Sequence, residues 1–150
     1  MSMAAHMVTS SDFYMGDPYS QANFPNTGFL YVRSSRRAVG AMAAWRAARS
    51  SYPGKHEQQV MNEIRRGELV ARRGVRIQFL DTAHVAGFCS NTRDFATLYT
   101  MHANCCVGLG AKLHDLRNLL EEWRVYRRMP DEERRRRGPV RWKVPGICIH

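Results

Sequence analysis

Side chains able to act on a ligand gather in four segments. The strongest runs from Met101 to Lys112. It sets the imidazole of His102 just beyond an apolar stretch, follows it with Asn104, Gly108 and Gly110, and ends on Lys112 at an expected helix start. Glycine allows close backbone approach, and free N–H groups at a helix start favour phosphate. A lysine there adds a compact charge, and a neutral imidazole nitrogen can ligate a borderline metal. These are the parts of half a metal–diphosphate site; the competing reading is a histidine hydrogen-bonded in a turn. In the second segment, Lys55 to Asn62, Glu57 and Gln58 bring a carboxylate and an amide to a helix start, where they can reach a ligand hydroxyl or simply cap the helix. The third, Phe24 to Val32, places Asn26 and Gly28 at the entrance of a strand, with a plain turn as the alternative. The fourth, Phe79 to Thr82, delivers Asp81 from a strand end, equally suited to capping a loop.

The elements that must position these residues alternate between strands and helices. Ala4 to Ser11 reads as a short core strand, and Tyr14 to Asn26 as a loop rich in turn formers. Phe29 to Val32 has the aromatic and β-branched content of a strand. Ser34 or Ser35 then caps a helix to about Arg49, broken by Tyr52-Pro53-Gly54. A second helix starts near His56, carries Val60, Met61 and Ile64 at helical spacing, and ends before Gly67. Val75 to Leu80 alternates as a half-buried strand, Asp81 to Asp94 reads as loop, and Phe95 to Met101 as strand. The longest helix spans about Lys112 to Arg128, with Leu113, Leu116, Leu119, Leu120 and Trp123 on one face, and Pro130 ends it. This order predicts an α/β layered arrangement over residues 1–129, followed by a basic, irregular tail over 130–150.

Composition limits the class. With 150 residues, 44% hydrophobic and 24% charged, the chain fits one ordinary globular domain. No stretch of eighteen apolar residues offers a membrane span, and Met1 to Val8 lacks the basic flank and apolar length of a secretory signal. The formal charge of +10 comes largely from arginine pairs and the run Arg134 to Arg137. Such a surface attracts phosphate, although Asp131, Glu132 and Glu133 just before the run suit an exposed helix start. Cys89, Cys105, Cys106 and Cys148 contain no C-x-x-C pair, which disfavours a zinc ribbon. In an oxidising lumen they allow three pairings, with adjacent Cys105 and Cys106 bonding elsewhere; reduced, they are small buried hydrophobes.

Taken in order, Asn26-Thr27-Gly28 before an apolar strand, His56-Glu57-Gln58 opening a helix, Phe79-Leu80-Asp81-Thr82, and Thr100-Met101-His102-Ala103-Asn104-Cys105-Cys106 through His114-Asp115-Leu116-Arg117 resemble the plant nucleotide-diphospho-sugar transferase domain family. The resemblance runs from about Val8 to His150. It implies the carboxy-terminal portion of a GT-A-type, Rossmann-like α/β fold, with the nucleotide at the carboxyl ends of parallel strands. It also implies transfer of a sugar, with retention, from a nucleotide-diphosphate donor to a glycan or glycoprotein hydroxyl, in the Golgi lumen and with Mn²⁺. On that resemblance His102 is a metal ligand and Lys112 faces the diphosphate. Glu57 and Gln58 are the catalytic candidates, and Asn26, Gly28, Asp81, Asn104 and Gly110 contact substrate.

Two departures stand out. Glu57-Gln58 replaces the family's usual Asp-Gln, one methylene longer. No Asp-x-Asp occurs in the 150 residues, so the chain is expected to be a truncated domain whose metal carboxylates and membrane anchor lie outside it. The alternative is a non-catalytic remnant or pseudoenzyme acting as a binding protein. No nucleic-acid partner is expected, because no recognisable binding motif accompanies the charge.

Overall fold

The computed structural model describes residues 5–148. The chain is mixed α/β, with five strands in two small sheets and four α-helices among the described residues, as expected for part of a nucleotide-sugar transferase domain. It divides into two compact units, one up to Asp81 and one from Thr82.

In the first unit β1 (Met7–Phe13) lies between β2 (Phe24–Val32), antiparallel to it, and β3 (Ile77–Phe79), parallel to it. Ala4, expected to open the first strand, lies outside the described residues. β2 starts well before the expected Phe29, because the turn formers Pro25, Asn26 and Gly28 sit in a bulged ladder and not in a free loop. The register passes from Thr9↔Leu30 directly to Ser10↔Asn26. A bulge is one of the few places where a sheet accepts proline and glycine.

α1 (Arg36–Ala48) begins where Ser35 Oγ accepts the Ala38 N–H at 3.2 Å. α2 (Glu57–Ile64) is capped at His56, whose N–H donates to Gln59 Oε1 at 3.1 Å. The chain does not stop before Gly67 as expected. It continues as a π-helical segment, Arg65–Arg72, whose wider turn still buries Leu69 completely. Met7, Trp45, Val60, Met61, Leu69, Ile77 and Phe79 close the core between sheet and helices. Each such side chain contributes about 1.5–3 kcal/mol when fully buried.

The second unit pairs β4 (Val85–Gly87), a strand inside the expected 81–94 loop, in parallel with β5 (Thr100–His102). Residues 95–97 form a turn and the strand begins only at Thr100; the aromatic content here serves the core, since Phe95 stacks on Tyr126 and meets Trp142 edge-on, both at 5.5 Å between ring centroids. α3 (Leu109–Arg128) buries Asp115, Leu119 and Tyr126. Leu113, Leu120 and Trp123, expected on the core face, are partly exposed instead, because the helix is rotated to bring Leu119 and Tyr126 against Phe95 and Trp142.

α4 (Asp131–Arg137) carries the arginine run as a solvated helix opened by three acids. The residues after it take no regular form, yet Trp142, Val144 and Cys148 are buried in the same cluster as Phe88 and Phe95. Two devices hold them there. Asp115, fully buried, accepts the backbone N–H groups of Gly146 (3.0 Å), Ile147 (3.1 Å) and Cys148 (2.9 Å). Burial works to raise the Asp115 carboxyl, and these donors outweigh it, holding the pKa below the ordinary value. The second device is a Cys106–Cys148 disulfide, beside a Cys89–Cys105 disulfide. All four cysteines are paired, and Cys105 takes a left-handed φ of 52° to send neighbouring sulfurs to different partners.

Candidate functional site

The end of β1, the bulge in β2 and the start of α2 converge on Asp12. Asn26 Nδ2 donates to Asp12 Oδ1 at 2.6 Å, and Gln58 Nε2 donates to Asp12 Oδ2 at 2.8 Å. A carboxylate only accepts, so it fixes which end of each amide faces it. The outward oxygens are then used as well. Asn26 Oδ1 accepts the Gly28 N–H at 2.8 Å, and Gln58 Oε1 accepts the Thr27 N–H at 3.2 Å. The Asn26 carbonyl accepts two hydroxyls from β1, Thr9 Oγ1 at 2.8 Å and Ser10 Oγ at 2.9 Å. Trp45 Nε1 donates to the Glu57 carbonyl at 2.9 Å, which ties the start of α2 to α1. The result is a polar cluster with locked rotamers on rigid elements, suited to hydrogen-bonding a hydroxyl-rich ligand without reorganising.

Glu57 does not join this cluster. Its exposed side chain lines a cavity of about 230 Å³ with Met42, Trp45, Arg46 and Arg49, while Gln58 turns toward Asp12. Consecutive residues on a helix point about 100° apart, so the two residues expected to act together serve different surfaces. Asp81 closes the same unit, half-buried, directly after Leu80, whose N–H donates to the Thr9 carbonyl at 2.9 Å. Its charge, after burial, helps push the Tyr14 hydroxyl above its ordinary pKa.

The face of α2 that carries Gln58 continues through Asn62 to Arg65. Arg65 is buried and donates to the Asn23 carbonyl at 2.7 Å, while burial lowers its pKa. Asn23, fully buried, holds the loop ahead of β2 by accepting the Met15 N–H and donating to the Asp17 carbonyl, both at 2.7 Å. Sequence reading passed over Asp12, Asn23 and Arg65. Gln58, Asn62 and Arg65 at i, i+4 and i+7 did offer a signal, a polar stripe beside the apolar one.

A family model described as nucleotide-diphospho-sugar transferase matches residues 1–116. The chain belongs to the nucleotide-diphospho-sugar transferase family. Relatives in Arabidopsis thaliana include the uncharacterized protein At4g15970, 40% identical over 77% of this chain and 31% of its own length. Another is the uncharacterized protein At1g28695, 32% identical over 68% of this chain and 31% of its own length. The chain therefore spans about a third of the length of these relatives. No solved structure matches it.

The remaining candidate residues of this family member lie in the second unit. His102 is the last residue of β5 and half-buried, not just beyond the strand, and its carbonyl accepts the Phe88 N–H at 3.3 Å. Among the described residues no three His, Cys, Asp or Glu side chains stand close enough to hold a metal. Fewer than three such side chains are not the oxygen-rich donor set that Mn²⁺ takes, so the described residues do not make that site.

Asn104 is buried against Gly87, where an added Cβ would lie 2.2 Å from Asn104 Oδ1, and that oxygen accepts the Cys89 N–H at 3.3 Å. α3 begins at Leu109, so Lys112 lies a turn inside it and its own N–H is already bonded to the Gly108 carbonyl at 3.2 Å. The special backbone is at Gly108, with φ of 87°, whereas Gly110 is an ordinary helical residue facing open space.

Proposed function

We propose that the chain is the part of a glycosyltransferase that holds the sugar of a nucleotide-diphosphate donor for transfer to a glycan or glycoprotein hydroxyl, with retention of configuration. In that reaction the bond from the anomeric carbon to the diphosphate oxygen breaks with its electron pair. The acceptor oxygen bonds the same carbon, and its proton leaves with the nucleoside diphosphate. The observation that carries the reading is the clamp of Asn26 and Gln58 by Asp12, in a chain of this family. Preorganised amides of this kind bind hydroxyls and stabilise charge developing near them at little reorganisation cost. Lys112 is proposed as a counter-charge for the diphosphate.

Mn²⁺ is proposed for a longer protein that supplies the carboxylates, with His102 among its ligands, and no step is derived through it. The Golgi lumen is the proposed compartment. Two disulfides using every cysteine suit an oxidising environment, and no described helix is long and apolar enough to cross a membrane.

The test is saturation-transfer NMR of the disulfide-bonded chain with a panel of nucleotide sugars. Saturation of the sugar protons by one donor, lost in Asn26→Ala and Gln58→Ala while the fold is kept, is the expected result. Saturation by none of the donors, or saturation indifferent to both substitutions, defeats the reading. Robust transfer by the chain with Mn²⁺ that survives His102→Ala removes the metal role of that residue.

A further inference from the structure

The second unit holds a cavity that the transferase reading does not use. It measures about 630 Å³ and is walled by Asn91, Arg93 and Asp94 on one side and by Pro139, Arg141 and Trp142 on the other. That volume lies within the range of small-ligand pockets. The walls are fixed relative to each other. The Phe95 N–H donates to the Val140 carbonyl at 3.0 Å, and Phe95 packs edge-on against Trp142, so the segment after α4 is pinned beside the 91–94 turn.

Its charge is unbalanced. Neither the Arg93 nor the Arg141 side chain makes an ion pair or hydrogen bond with another described residue, although six ion pairs occupy other arginines and lysines. Asp94 is the acid in the wall, and its Oδ1 already accepts the Ala96 N–H at 3.0 Å. Trp142 is 2% exposed and its buried indole N–H has no acceptor among the described residues. A buried donor left unpaired is costly, and native structures seldom keep one without a partner arriving from outside. Next to this cavity lies a second, of about 420 Å³, which shares Asp94 and Pro139 and adds Arg134 and Arg135. Arg134 is committed to Asp131 and lies 5.3 Å over the Tyr126 ring, while Arg135 has no such partner among the described residues.

We infer that the cleft between residues 91–94 and 139–142 is a binding site for an oxyanion, a carboxylate or a phosphate, held by the guanidinium groups of Arg93 and Arg141. Arginine suits this role because its planar fork meets both oxygens of such a group. The neighbouring cavity lets the ligand extend past Pro139 toward Arg135, so a chain of acidic sugars fits better than a single small ion. The inference does not depend on sugar transfer, and its readout is binding alone.

The experiment is calorimetric titration of the disulfide-bonded 150-residue chain with three probes: a short oligogalacturonide, inorganic phosphate, and a single-stranded RNA of matched charge. Arg93→Ala and Arg141→Ala are each expected to weaken oligogalacturonide binding by about tenfold or more. Arg36→Ala, which removes the same charge from the first unit, is expected to leave it unchanged. Arg93→Lys keeps the charge without the fork and is expected to recover only part of the affinity. Phosphate binding with the same dependence on Arg93 and Arg141 supports the site and makes phosphate its source of oxyanion. If neither oligogalacturonide nor phosphate binds, or if Arg36→Ala weakens binding as much as Arg93→Ala does, the inference is overturned. Tight binding of RNA alone also overturns it. Thermal melts of each variant identify any that lose the fold, and the lysine variant then carries the comparison.

Discussion

Gln58 reaches across 46 residues of sequence to donate its amide to Asp12 Oδ2 at 2.8 Å. Asp12 also receives Asn26, so one carboxylate sets the orientation of two amides at once. Asp12→Asn keeps the shape but replaces one acceptor with a donor that faces an amide NH₂. The expected cost is about 1–3 kcal/mol of stability in the first unit, the range for a donor stripped of its partner. Donor-sugar binding should fall in parallel, and Gln58→Glu in the same background should recover part of the stability, because a carboxylate at position 58 would then accept the new amide N–H at position 12. Thermal denaturation together with the NMR binding assay checks both.

Gly87→Ala is expected to disrupt the second unit. The new Cβ would sit 2.2 Å from Asn104 Oδ1 and 2.5 Å from its Cγ, and Asn104 is buried with little room to withdraw. Overpacking of this kind costs about 1–3 kcal/mol. Asn104→Ala alone removes the acceptor of the Cys89 N–H and should also destabilise. The double variant should be more stable than the sum of the two, and a double-mutant cycle by chemical denaturation measures that coupling.

The anchorage of the segment after α4 should be insensitive to pH until strongly acid conditions. Because the folded Asp115 carboxyl is held below its unfolded value, its contribution is present above the ordinary carboxylate range and is lost as pH falls through the folded pKa. Asp115→Asn should weaken that anchorage at every pH above the folded pKa, since it removes the charge and replaces one of the two acceptor oxygens with a donor. Hydrogen exchange at Ile147 and Cys148, slow in the native chain near neutral pH and fast in the variant, reads the effect.

His6 should act in the opposite part of the pH scale. Its Nδ1 accepts the Arg76 N–H at 2.9 Å, and burial, followed by Arg37, Arg33 and Arg76, lowers its pKa. The folded state therefore favours the neutral ring. The stability this gives is full above the unfolded histidine pKa and declines as pH falls toward the folded one. Melts between neutral and mildly acid pH should show that slope, and His6→Gln should flatten it.

Reduction should loosen the second unit selectively. The Cys106–Cys148 bridge spans 42 residues and the Cys89–Cys105 bridge 16, which correspond to about 4 and about 3 kcal/mol of loop entropy. Under dithiothreitol the second unit should become protease-sensitive, while the first, which contains no cysteine, keeps its melting behaviour.

The parts legible in the sequence were those written in local chemistry. Ser35 announced α1, and the spacing of Val60, Met61 and Ile64 announced α2. Asn26 and Gln58 stood out as candidates because they sit in recognisable segments. Asp12 was not, because a lone carboxylate at a strand end acquires meaning only when β1, β2 and α2 meet. β4 is too short for its alternation to show, and the rotation of α3 was set by Phe95 and Trp142, residues distant from the helix in sequence. The stretch after α4 read only as a basic, irregular tail because backbone hydrogen bonds to a single side chain, Asp115, leave no periodic trace.

Family likeness and cooperative folding stop at different places in this molecule. The match ends at Leu116, midway along α3, yet Leu119, Tyr126, Trp142, Val144 and Cys148 complete the interior that Phe88 and Phe95 begin. A protein cut where similarity fades would open that interior to water and orphan Cys106. Boundaries drawn for expression or for domain grafting in this family therefore belong after the last buried side chain, and not at the last aligned one.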